Sequence, residues 1–291
     1  MLEYAIVTGL IFGLYFALVA IGMNLVFGVM RIVNLAHGDF VMLGAFAAFW
    51  LMRAEGLGPI ASVIIAFVVF CLIGIPIYYA LVPRLFASAD PEILSLILFF
   101  GLSQTIEASV STVFGTGERS IPGRLLGTHP VHILGQIVPY PWVYAGAVAV
   151  VMLIGTYVYL YHTRLGRQTR AIMAQRDEAV TVGIDVHRIS AIAFGVGSGL
   201  AAVAGVFAPF MLGSFTPSLG ISLDLVAFAV VVVGSLGNPL GTVLGGLIYG
   251  LSLMLMRTYL STFADLLPNL VLIGVLLIRP TGLLGRRVRH A

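Results

Sequence analysis

The sequence predicts an all-α, polytopic bundle of transmembrane helices, and three observations predict it. Sixty percent of the 291 residues are hydrophobic and 9% are charged, against roughly 25% charged in an average soluble domain. The runs 4–30, 57–83, 189–223 and 225–256 contain no Asp, Glu, Lys or Arg, and each exceeds the ~20 apolar residues that cross a bilayer. The 34 glycines suit helices whose backbones approach closely in lipid.

Apolar segments fall at 4–29, 40–52, 59–82, 93–114, 142–161, 189–211, 225–256 and 259–278, so about 8–9 membrane segments are expected. The first run is too long for a cleavable signal peptide and has no basic residue ahead of it, which makes it a retained helix. The lone Cys71 excludes a disulfide framework and a thiolate metal site. The formal charge of +3 is carried by arginine, since the chain has no lysine. These arginines lie mainly in loops and so report topology, not nucleic-acid binding.

Arginines at 164, 167, 170, 176 and 188, and at 279, 286, 287 and 289, mark 162–188 and the tail as cytoplasmic. Counting back puts Arg84 and Arg31 inside, and the Pro-rich stretch 115–141 and the N-terminus outside. Such termini require an odd number of crossings. The suspect is 225–256, interrupted by Gly237-Asn238-Pro239, which reads as two short crossings or a re-entrant hairpin lined by protein or water. Nine crossings are expected, with seven plus a re-entrant pair as the other option. The second segment is broken too: Asn34, His37, Gly38 and Asp39 precede it, and a helix start capped by Asp39 is expected.

Polar groups within apolar segments are the candidates for chemistry. Asn34, His37, Asp39, Gln104, Glu107 and Asp224 qualify, because intramembrane carboxylates usually face a cavity or a partner. Asp39 and Asp224 also read as helix caps, whereas Gln104 and Glu107 share a helix face directed into the bundle. One His and one carboxylate two residues apart make a poor metal site, and no metal, cofactor or catalytic group is expected. The chain has neither H-E-x-x-H nor a rhomboid-like Gly-x-Ser-Gly with a later membrane histidine. Gly9/Gly13, Gly195/Gly199, Gly241/Gly245 and Gly246/Gly250 are small-residue seams for helix contact, within the chain or between two copies.

The loop 162–188 is the most informative stretch. Helix formers over 169–182 end at Gly183, which suits a left-handed C-cap, and Asp185 can cap the following helix. One or two short amphipathic helices are expected there, with Ala171, Ala174 and Ala179 leaving a shallow surface for another protein.

Glu178-Ala179 followed by Gly183-Ile184 is similar to the coupling-loop motif of ABC importer permeases, with Val180 in place of the motif's second Ala. Val33-Asn34-Leu35-Ala36-His37-Gly38-Asp39 resembles the Asn-Phe-Ala-His-Gly-Glu stretch of branched-chain amino acid permeases. Val233-Gly-Ser-Leu-Gly-Asn-Pro-Leu-Gly-Thr-Val-Leu-Gly-Gly246 and Arg279-Pro-Thr-Gly-Leu-Leu-Gly285 complete the set, in the family's order. The resemblance covers nearly the whole chain and is nearer to the shorter of that system's two permeases. It implies a single type II-like ABC importer permease domain over 1–291, multi-pass in the plasma (inner) membrane. The partners it implies are a second permease subunit, two cytoplasmic ATP-binding subunits and an external solute-binding protein. ATP hydrolysis would lie in those partners, and the chain has no Gly-x-x-x-x-Gly-Lys-Ser/Thr. Arg167, Arg170, Ala174, Arg176, Asp177, Glu178, Ala179 and Gly183 are then the expected ATPase-coupling residues. Asn34, His37, Asp39, Gln104, Glu107, Gly237, Asn238 and Pro239 are the expected pathway residues. A urea or short-amide permease and an ion-coupled secondary transporter stay open as alternatives.

Overall fold

The computed structural model describes residues 1–285 except Ala87, Ala89, Thr128, Asp265 and Pro280, and describes Arg124, Leu267 and Pro268 by backbone alone. Arg286, Arg287 and Arg289 of the basic tail lie outside the described residues. The helices are α1 (Leu2–Met30), α2 (His37–Arg53), α3 (Pro59–Phe86), α4 (Pro91–Phe114), α5 (Tyr140–His162), α6 (Arg164–Ala174), α7 (Arg176–Thr181), α8 (Val186–Met211), α9 (Leu219–Gly234), α10 (Pro239–Tyr259) and α11 (Leu266–Ile278). Six of them, α1, α3, α4, α5, α8 and α10, are long and apolar enough to cross a membrane; α9 and the 269–278 part of α11 are apolar but shorter. The all-α expectation has one exception among the described residues: Val131–Ile133 (β1) and Gln136–Val138 (β2) form a small antiparallel hairpin in the Pro-rich loop.

Burial orders the bundle. In the most apolar window, 78% of α1 and 89% of α8 is buried, against 22–28% of α3, α4 and α5. Helices α1 and α8 are therefore the central pair, and the isoleucines and valines of α3, such as Ile60, Ile64 and Val68, face outward. All the small-residue seams work within the chain. Gly9 and Gly13 of α1 meet Gly250 and Gly246 of α10, Gly195 and Gly199 of α8 meet the backbone of Cys71 and Phe67 on α3, and Gly241 and Gly245 meet α9 at Gly234 and Val230. Backbone contact of this kind replaces the hydrophobic effect as the adhesive in lipid.

Two helices start part-way along the bundle. Arg31, in the left-handed region (φ 57), ends α1, and 31–36 folds back along it. Asn34 shapes the return, its Oδ1 accepting from the Ala36 amide at 3.1 Å and its carbonyl from His37 N–H at 3.2 Å. His37 Nε2–H then donates to the Val19 carbonyl at 2.8 Å, about 16 Å from the Met30 end at 1.5 Å per residue. From the opposite end, α8 stops at Met211 and 212–218 turns back. Phe215 packs against Phe46 and Phe49 of α2 and exchanges backbone hydrogen bonds with Arg119. Helix α9 follows, starting beside the start of α2.

These starts correct two expectations. Asp39 does not cap α2: the N-cap is Ala36 and the helix already runs from His37. Asp224 does not cap α9, which begins at Leu219 and carries Asp224 in its second turn. The break in 225–256 is a tight turn between antiparallel α9 and α10, level with Asn24 and Gly28 near the end of α1. The chain also turns back along the bundle at 31–36, the break expected ahead of α2, and at 212–218, which the sequence reading did not mark.

Candidate functional site

The N-termini of α2 and α9 meet in the interior. Asp224 Oδ1 accepts from the Gly38 amide at 2.6 Å, so a carboxylate 186 residues away supplies the cap that α2 lacks from its own sequence. Neither glycine at the crossing can be enlarged. A Cβ on Gly38 would meet the Gly220 carbonyl, and one on Gly220 would lie 3.1 Å from Asp39 Cα. Asp39 is fully buried, and Ser103 and Glu107 of α4 approach its carboxyl group. Two carboxyls thus lie within electrostatic reach of each other where two helix N-termini, each carrying roughly half a positive charge, converge. The convergence offsets part of the cost of holding acids at that depth.

The structure keeps Asn34, His37 and Asp39 at the entry to α2 and sets Glu107 of α4 near Asp39. It separates the rest. Gln104 is exposed on the outer face of α4, followed by Thr105, Ser109 and Thr112. These three hydroxyls donate to their own helix's carbonyls at 2.6–2.8 Å, so the stripe tolerates an apolar or a polar neighbour. Gly237, Asn238 and Pro239 sit at the far end of α9 from the junction. There Asn238 Oδ1 caps α10, accepting from Leu240 and Gly241 amides at 3.1 and 3.3 Å.

At that same end stands the α6–α7 hairpin. Thr163 Oγ1 accepts from the Gly166 amide at 2.9 Å and caps α6; a Cβ at Gly166 would run into the Tyr159 carbonyl. Gln175 (φ −151, ψ 102) breaks the expected helix in two. Helix α7 closes with Ile184 N–H on the Ala179 carbonyl (3.1 Å) and Gly183 N–H on that of Val180 (3.0 Å), a Schellman pattern that needs Gly183 at φ 82. Asp185 Oδ1 accepts from the Arg188 amide at 3.0 Å and caps α8.

The hairpin divides the coupling candidates into two groups. Arg167, Ala174, Asp177, Glu178 and Gly183 are exposed. Arg170 and Arg176 are half-buried, lying 4.5 Å over the Tyr161 ring and 4.1 Å over that of Phe86, and they hold the hairpin to the bundle. Ala179 is 3% exposed and points inward, so it does not contribute to a docking surface as expected. Val180 and Val182 are 56% and 74% exposed; from sequence Val180 was noted only as a departure from the coupling motif, and Val182 was not singled out. Also missed were Gly220 and Asn24, whose partners are far away in sequence, and Gly38 was named only as part of the break and the motif.

Residues 5–278 match the family described as branched-chain amino acid transport system, permease component. The chain belongs to that family. The permease is 30% identical over 289 residues to the high-affinity branched-chain amino acid transport system permease protein LivH of Escherichia coli (strain K12), covering 96% of this chain and 94% of that one. It is 29% identical over 291 residues to the corresponding protein BraD of Pseudomonas aeruginosa, covering 97% and 95%. A shorter likeness, 32% over 151 residues, links it to the ribose import permease protein RbsC of Haemophilus influenzae, over 48% of this permease and 45% of that one. No solved structure matches the permease.

Proposed function

We propose that this permease is the membrane subunit of an ATP-driven, binding-protein-dependent importer of branched-chain amino acids. The observation that carries this reading is the α6–α7 hairpin: a rigidly capped, clamped element at one end of an apolar bundle, presenting Ala174, Asp177, Glu178, Val180 and Val182. Such a surface suits a cytoplasmic ATPase, which this chain does not contain. Full-length relatives named for branched-chain amino acids do not favour a urea or short-amide permease or an ion-coupled secondary transporter.

The topology we infer has nine crossings: the six long helices, α11, and two composite spans made of 31–36 with α2 and 212–218 with α9. With the arginine-bearing hairpin inside, the N-terminus is outside and the C-terminus cytoplasmic, a type II-like arrangement. A second permease subunit, two ATPases and an external solute-binding protein complete the assembly. Asn34, His37, Asp39 and Glu107 form the polar part of the pathway, and Gln104, on the outer face of α4, is not part of it.

Reconstitution tests the reading. Proteoliposomes holding the permease pair and ATPases are expected to accumulate leucine when ATP is enclosed and the binding protein is outside. Leucine uptake by the purified chain alone, driven by an ion gradient, would overturn it.

A further inference from the structure

Asn24 of α1, fully buried, directs its hydrogen bonds at one distant turn. Its Oδ1 accepts from the Gly237 amide at 2.5 Å. Its Nδ2 donates to the Asn238 carbonyl at 2.9 Å and to Thr242 Oγ1. No hydrogen bond of this side chain stays within its own helix, so it clamps the α9–α10 turn to α1.

Two other segments meet the same turn. The chain after α11 lies across it, with Leu283 N–H on the Val233 carbonyl at 3.0 Å and Leu284 N–H on that of Gly234 at 3.3 Å. These bonds satisfy carbonyls that the end of α9 would leave open. The Arg279-Pro-Thr-Gly-Leu-Leu-Gly motif thus has a structural role, and a Cβ on its Gly282 would lie 2.7 Å from the Val232 carbonyl. On the other side, Gly28 follows Asn24 by one turn of α1. Met173 of α6 packs on Gly28, and a Cβ there would lie 3.3 Å from Gly237 Cα. Arg31 completes the contact by donating from Nη2 to the Met173 carbonyl at 3.2 Å.

The last two turns of α1 therefore hold both the docking hairpin and the α9–α10 turn, and α9 carries Asp224 to the interior junction. We propose that Asn24 is a positioning residue for transport, the tie through which displacement of the α6–α7 hairpin moves α9 and with it the Asp39–Asp224 junction. It touches no substrate; it keeps α9 moving with α1 and α6. The proposal rests on the reading of this chain as an ATP-driven permease.

The test is the coupling ratio, leucine moved per ATP hydrolysed, in the full reconstituted complex. Asn24→Ala is expected to assemble and to hydrolyse ATP at a rate within about twofold of the parent while the ratio falls at least tenfold. Thr242→Val, which deletes one of the bonds at nearly constant volume, is expected to lower the ratio several-fold. An unchanged ratio in both variants overturns the proposal, as does a parallel fall of hydrolysis and uptake that follows the amount of assembled complex. If Asn24→Ala does not assemble, Thr242→Val decides alone: a lowered ratio supports the tie and an unchanged one overturns it. Absence of ATP-dependent uptake in the parent complex would instead strike the functional reading beneath it.

Discussion

At the residue scale, Asp224 shows how a helix N-terminus is completed by a side chain from elsewhere in the chain. The Gly38 amide it accepts is buried, and leaving such a donor unmatched costs about 1–3 kcal/mol. Asp224→Ala is therefore expected to lower stability by that amount, read from thermal unfolding in detergent. Asp224→Asn retains an acceptor oxygen, and its loss is limited to about 1 kcal/mol, the difference between a charged and a neutral acceptor. Gly38→Ala is the harsher change, because its methyl meets the Gly220 carbonyl and backbone cannot move aside as a side chain can. We expect no uptake from Gly38→Ala at any expression level, checked by leucine transport in cells. The sequence singled out Asp39 and Asp224 correctly as polar groups in apolar surroundings. It placed both as caps of their own helices, since propensity describes local partners and the true partner of Gly38 lies 186 residues away.

At the element scale, the α6–α7 hairpin and the break ahead of α2 were largely legible, and the turn-back at 212–218 was not. Gly183 as a left-handed terminator and Asp185 as an N-cap are short-range signals, and both occur as read. The outward or inward sense of Ala179 was not legible, because a six-residue helix has too few turns for periodicity to choose a face. Gly183→Ala forces a side chain into the left-handed region at about 1–2 kcal/mol, and faster hydrogen exchange of the α7 amides is the expected signature. Val182→Asp places a charge on the most exposed apolar residue of the hairpin. We expect it to abolish co-purification of the ATPase while leaving the permease folded, judged by an unaltered unfolding temperature. The turn at 235–238 was legible as a break, but its depth was not: hydropathy registers that Gly-Asn-Pro interrupts a run, and only the contacts of Asn24 and Gly28 locate it at the end of α1.

At the scale of the whole molecule, the proposed orientation is tested by labelling from one side. In a Cys71→Ser background, an impermeant maleimide should label Ile137→Cys of the β-hairpin in intact cells and Glu178→Cys only after permeabilisation; the reverse pattern would invert the topology. The junction of α2 and α9 also bears on how the chain is made. Helix α2 has 17 residues, among them a buried aspartate, and the acceptor for its N-terminus is synthesised 186 residues later. At roughly 5–20 residues per second, a ribosome needs roughly ten to forty seconds to deliver α9. Throughout that interval the nascent chain holds a helix with an unmatched end inside or beside the bilayer. A chain truncated before α9 is left in that state permanently, so the first half of this permease depends on its second half to be born intact.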